Sequence, residues 1–234
     1  MTPTERDAAI LEHLRRYHLT TPEILHRLFF PGVGLNAVRK VTARLIDEKR
    51  MMSARLFEQR KYFVLTPREA ERLGEHRSIG RKFEYQGLVN AYGLLAFCAA
   101  NGVKKFMPRE FAEKFPDLVI PGVRSGNYYL EPEDTPEGRK HRLAFIHVDY
   151  GTSPETQKKK VRKIISRAYT MPTFAKLIQG GHFILTIVTP TEAKAATLTM
   201  KEVESPSARK PQIETTSEAI ISGISPSRLR ILSP

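Results

Sequence analysis

The chain has 234 residues, enough for one large domain or two small ones. Apolar residues make up 41% of it, which suffices for a core, yet no run reaches the roughly 18 apolar residues that span a bilayer. Thirty-eight Lys and Arg against 25 Asp and Glu leave a net charge of +13, a field that attracts polyanions, and no basic amphipathic membrane anchor accompanies it. The opening MTPTERDAAI places acids where a signal peptide needs an apolar core. The longest apolar segment, 87–100, is broken by Asn90 and Tyr92, and the single cysteine, Cys98, has no internal partner for a disulfide. These features predict a soluble cytoplasmic protein without a membrane partner.

In chain order, residues 4–18 read as a helix, with Ile10, Leu11, Leu14 and Tyr17 at helical spacing and Thr4 as a candidate cap. Thr21-Pro22 restarts a helix with Ile24, Leu25, Leu28 and Phe29 on its apolar face, and 31–34 (PGVG) is a turn by composition. In the third helix, 35–48, Val38, Val41 and Leu45 fall on one side at about 100° per residue. The opposite side collects Asn36, Arg39, Lys40, Ala43 and Asp47, with Arg44 on its flank. A recognition helix is built this way: Arg and Asn suit base edges, Lys reaches phosphate, and a small residue lets the helix lie close to the groove floor. A solvated charged face has the same composition, so the order of elements matters.

Two short strands follow, 51–57 and 61–66. They form a hairpin whose tip carries Arg55, Arg60 and Lys61 and would serve as a wing against the DNA backbone. Three helices and a hairpin predict a winged helix-turn-helix over residues 1–74, which hold 14 basic and 9 acidic side chains. After a short helix at 68–73 and a polar connector, 83–100 reads as a largely buried helix closed by Asn101-Gly102. Then come a short strand at 103–106, a helix at 108–115 and strands at 128–131 and 143–149 with a polar, turn-rich loop at 132–140. Helices at 154–169 and 173–178, a strand at 183–189 and a last helix to about 200 complete the pattern. Apolar strand centres alternating with helices predict a mixed α/β domain over 82–201. Residues 202–234, rich in Ser, Pro, Thr and Lys, read as an extended or flexible tail. The fold class expected for the whole is α+β.

Lys158, Lys159, Lys160, Arg162, Lys163 and Arg167 fall within ten residues that include no acid. A solvated helix face accounts for part of this, but unopposed cations repel one another and phosphates would relieve them. The histidines show no metal spacing, no phosphate-binding glycine loop is present, and no cofactor is expected.

RDAAILEHL, TTPEILHRLFFP and VRKVTARLIDEKR, together with FIHVDYGT (145–152) and FILTIVTPTEA (183–193), resemble the replication-relaxation family of plasmids, phages and integrative elements. The resemblance implies a winged helix joined to a PD-(D/E)XK nuclease-like (restriction-endonuclease-like) domain, and a role in plasmid replication or relaxation. AbiEi-type antitoxins, which repress their own promoters, have a similar layout. A nuclease of that fold needs an Asp on one strand and Glu-x-Lys on the next to hold a metal. Here the corresponding strand reads His147-Val148-Asp149 and the one before it begins at Asn127, so the catalytic pattern is broken. Asp149, Asp117 and Glu131 remain as a displaced metal set, with Glu133 as an alternative to Glu131 for the second carboxylate and Lys159 or Lys160 as the lysine that swings in from the next helix.

The expectation is therefore a non-enzymatic, homodimeric, sequence-specific binder of double-stranded DNA, acting in transcriptional regulation or origin recognition. Its DNA contacts would be Asn36, Arg39, Lys40, Ala43, Arg44, Arg55, Arg60, Lys61, Lys158, Lys159, Lys160, Arg162 and Lys163. The alternatives are a metal-dependent DNA nuclease with a displaced site and an antitoxin-like adaptor for a protein encoded nearby.

Overall fold

The computed structural model describes residues 3–56, 60–136, 138–149 and 151–189, and the chain divides into two units, Met1–Gly102 and Val103–Pro234. The architecture is mixed, α+β. The helix expected up to residue 200 and the tail 202–234 lie outside the described residues.

The first unit opens with α1 (Pro3–Tyr17), so Thr4 sits inside the helix and not at its cap. Ile10, Leu11 and Leu14 are buried on one side of it. The helix stops where His18 turns left-handed, and Leu19 is then buried. Thr20 pairs with Phe63 through two backbone bonds of 3.0 and 2.8 Å, which ties this corner to the hairpin. The Thr21 hydroxyl accepts from the Ile24 amide at 3.3 Å and starts α2 (Pro22–Phe29). Gly32, at φ +78, makes the turn into α3 (Leu35–Asp47). Strands β1 (Met51–Arg55) and β2 (Lys61–Leu65) pair antiparallel, Met51 opposite Leu65 and Arg55 opposite Lys61. Ile10, Leu14, Leu25, Val38, Leu45 and Leu65 meet in one core. Truncating one of these leucines to Ala costs about 2–5 kcal/mol in such a setting.

The end of α3 is fixed from outside the helix. Arg50, just beyond it, donates to the buried Glu69 carboxylate from Nε and Nη2 at 3.2 and 3.1 Å, and Arg72 donates to the same group. Arg72, and after it Arg50, hold the Glu69 carboxyl below its ordinary range. Thr66 caps α4 (Pro67–Arg72) and also donates to the Lys49 carbonyl at 2.7 Å. A 3₁₀ turn, Arg77–Gly80, then presses Gly80 onto the backbone of Pro67, where a Cβ would lie 2.4 Å from the Pro67 nitrogen.

Helix α5 (Tyr85–Asn101) ends at left-handed Gly102, as the Asn-Gly pair predicts. It groups with the first unit, so the division of the chain falls after residue 102 and not in the 74–82 connector expected from composition. The physical reason is that α5 packs on α1 and α2, burying Leu88, Leu94, Leu95 and Phe97.

In the second unit, residues 103–106 make a bridge from Lys105 to Tyr129 and lead into α6 (Pro108–Lys114). Strands β3 (Tyr128–Thr135) and β4 (Gly138–Val148) form an antiparallel hairpin, and β5 (Phe183–Val188) joins β4 in parallel. That parallel step requires a crossover, supplied by α7 (Pro154–Tyr169) and α8 (Pro172–Gln179). Residues 132–135 and 138–140, expected as part of a loop, instead extend the two strands of the hairpin. Pro132 is tolerated there because β3 takes the outer position in the sheet order, where a missing N–H breaks no ladder. Phe111 stacks on Tyr128 at 4.2 Å, and both join Leu143, Phe145, Val161, Ile165, Phe174 and Leu185 in the core between sheet and helices.

Candidate nucleic-acid interface

Helix α3 buries Val38, Thr42 and Leu45 and leaves Asn36, Arg39, Lys40, Ala43, Arg44 and Asp47 exposed. At about 100° per residue, Asn36, Lys40, Ala43 and Asp47 form the crest opposite the core. Arg39 and Arg44 fall on opposite flanks, and their surroundings differ.

Arg39 looks toward the hairpin. A groove of about 540 Å³ runs between the start of α2, α3 and the two strands; Arg39, Ala43, Ser53, Arg60 and Lys61 are on its walls and Leu35 and Val38 among its apolar contacts. The hairpin is held closed at this end by the backbone pairing of Arg55 with Lys61 and by the Leu56 amide donating to the Arg60 carbonyl at 2.9 Å. Arg55, Arg60 and Lys61 are all exposed, whereas residues 57–59 lie outside the described residues. The Arg39 guanidinium donates to Asn36 Oδ1 at 3.4 Å, one turn back. This long, exposed bond ties the guanidinium to the first turn of α3 without using up its donor fork.

Arg44 looks the other way. Its Nη2 donates to Asp7 of α1 at 2.7 Å and its Nη1 to Glu48 at 3.0 Å. Asp7 is 7% exposed, so the pair seats a largely buried carboxylate. Hydrogen bonds to Asp7 and then to Glu48 raise the Arg44 pKa. Of the cations assigned to this face by the sequence, Arg44 is thus committed to bracing α3 against α1.

In the second unit Lys159, Arg162 and Lys163 are exposed on α7 and Lys160 is half-buried; of Lys158 only the backbone position in the same helix is described. Val161 and Ile165 turn into the core, as their spacing predicts.

The displaced metal set does not assemble. Among the described residues, no three His, Cys, Asp or Glu side chains come together to hold a metal ion. Asp149 is buried at the end of β4, where its Oδ1 accepts from the Gly151 and Thr152 amides at 3.2 and 3.1 Å and from the Thr152 hydroxyl at 3.0 Å. That is the work of an Asx turn shaping the loop into α7. Asp117 is exposed in a short turn, and Glu131 lies on β3 opposite Arg142. Burial, with Lys160 adding to it, holds His147 below the ordinary imidazole value against the opposing pull of Gln157 and Asp149.

The groove has no signature in the sequence. Glu23 of α2, Leu35 of α3 and Ser53 of β1 line it together, and no periodicity in the sequence marks that meeting of three elements. No family model matches the chain, and no curated protein or solved structure shows significant similarity to it. Among the described residues no helix is long and apolar enough to cross a membrane.

Proposed function

We propose that the protein is a sequence-specific binder of duplex DNA, working through a winged helix-turn-helix made of α1–α3 and the β1–β2 hairpin. The observation that carries this reading is the crest of α3. Asn36, Lys40 and Ala43 stand exposed beside a groove walled by Arg39, Arg60 and Lys61. A major groove accepts a helix of this width, and Arg or Asn can make two hydrogen bonds to a purine edge, each such pair discriminating by about 1–3 kcal/mol. The hairpin cations suit phosphates flanking the groove. Asp47 at the far end of the crest favours entry by the N-terminal half of α3, since a carboxylate there repels phosphate.

The second unit contributes to this reading as a restriction-endonuclease-like domain without its metal site. The order β3–β4 antiparallel and β4–α7–α8–β5 parallel is compatible with such a domain. Binding as a homodimer would double the contacts and set a half-site spacing. The segments resembling the replication-relaxation family point to a mobile element and to control of transcription or marking of an origin. That resemblance rests on those segments alone.

The test is selection of bound duplexes from a random pool, followed by gel-shift titration of the enriched sequence with and without magnesium. The expected result is a discrete complex, an intact duplex in magnesium, and loss of selectivity with Arg39→Ala and Lys40→Ala together. Selective binding that survives both substitutions removes α3 from the interface; cleavage in magnesium replaces the reading with a nuclease.

A further inference from the structure

We infer that α7 and the adjoining loop present a second surface for the DNA phosphate backbone, indifferent to sequence and formed by Lys159, Lys163, Arg167 and Arg124. The inference rests on the DNA-binding reading above and extends it to the second unit. Val161, Ile165 and Ala168 are buried at 4%, 1% and 1% exposure, so the orientation of α7 is fixed and the opposite side must face outward. Lys159, Lys163 and Arg167 lie four residues apart on that side and all are exposed, a row of cations spaced about 6 Å along the helix.

The row continues beyond the helix. Gly122 is left-handed at φ +75, and a Cβ there would lie 3.1 Å from the Arg167 guanidinium. Arg167 therefore lies over the 121–124 loop, which carries the exposed Arg124. The only acid on α7 is Glu155 in its first turn, and the loop 119–126 has none. Lys160 and Arg162 flank the row and add to the same field, and the nearest acid before the loop, Asp117, is exposed.

Like charges four residues apart on a helix repel each other. A polyanion relieves that repulsion and gains counterion release for each phosphate neutralised. The outward side of α7 is completed by Thr156 and Ser166, and among its described side chains no apolar one is exposed to enter a bilayer or anchor a protein interface. That chemistry fits a phosphate backbone better than a membrane or an acidic protein.

The experiment is the salt dependence of binding by the full chain to the selected duplex and to a random one. Wild type is compared with the Lys159→Gln/Lys163→Gln/Arg167→Gln variant and separately with Arg124→Gln. The triple variant is expected to lower the slope of log K against log salt by about 2–3, and Arg124→Gln by about 1, on both duplexes alike and with selectivity kept. Unchanged slopes overturn the inference. So does loss of binding to phosphatidylserine vesicles in the triple variant while its DNA slope stays at the wild-type value. If the triple variant fails to fold, as read by circular dichroism, Arg124→Gln and Lys159→Gln alone decide the matter. Absence of any selective binding by wild type would instead bring down the DNA reading of the first unit, a different result from selective binding with an unaltered slope.

Discussion

Helices α3 and α7 both show cations to solvent, but the cations are held in different ways. On α3 two of them have a named partner: Arg39 leans on Asn36, and Arg44 is clamped by Asp7 and Glu48. Acids are interleaved with them, Asp47 at the crest and Glu48 just past it. On α7 the row from Lys159 to Arg167 contains no acid. Placed charges give direction, which hydrogen bonding to a base edge demands, while a row of like charges gives a field that any phosphate satisfies. On the proposed reading, the two helices would separate selectivity from attraction within one chain.

Acid should break the comparison most visibly. His13 is buried against Tyr17 and Phe29 and bonded to the Thr20 hydroxyl at 3.1 Å. Burial, with Arg16 adding to it, lowers its pKa to about 4. In the unfolded chain a histidine takes its proton near pH 6.5. The folded form therefore binds fewer protons in between, and stability that is whole above pH 6.5 falls as the pH drops toward 4, by about 3 kcal/mol in all. Urea titrations from pH 7 to pH 4 should show this loss for the first unit. Selective binding should fail in acid before sequence-indifferent binding does. A denaturation midpoint flat across that range would mean His13 is not the group at work.

Next in size is Arg39→Ala, expected to cost about 1–3 kcal/mol on the selected sequence and much less on random DNA. Equal losses on both would make Arg39 another phosphate contact and erase the contrast with α7. Arg44→Ala is expected to lower the melting temperature of the first unit while leaving the preferred sequence unchanged; an altered preference would return Arg44 to the base-reading set. The smallest effect is Asp47→Asn, which should tighten binding by about 0.2–1 kcal/mol at low salt and by less as salt rises. A loss of affinity would place Asp47 on a base donor.

Much of this was legible because helical periodicity is local. Val38 and Leu45 on one side and Asn36, Lys40 and Ala43 on the other follow from spacing alone, as do Val161 and Ile165 beneath the α7 cations. What escaped was set by residues distant in sequence. Arg44 meets Asp7 across 37 positions, and nothing near either of them signals it. The polar stretch 132–140 reads as a loop because its strand signal is weak, yet pairing with an apolar strand root carries it into the hairpin. Helix α5 reads as the start of a second domain because its apolar character fits either core, and only packing assigns it to the first.

Gly80 has a consequence for descent. Any side chain there collides with main-chain atoms of Thr66 and Pro67, at 2.4 to 2.7 Å, which cannot move without disturbing the start of α4. Gly34 at the start of α3 meets nothing within 4 Å. Lineages whose α3 surface diverges should drift freely at position 34 and keep glycine at 80. That contrast would identify homologues of the first unit even after every cation on α3 has been exchanged.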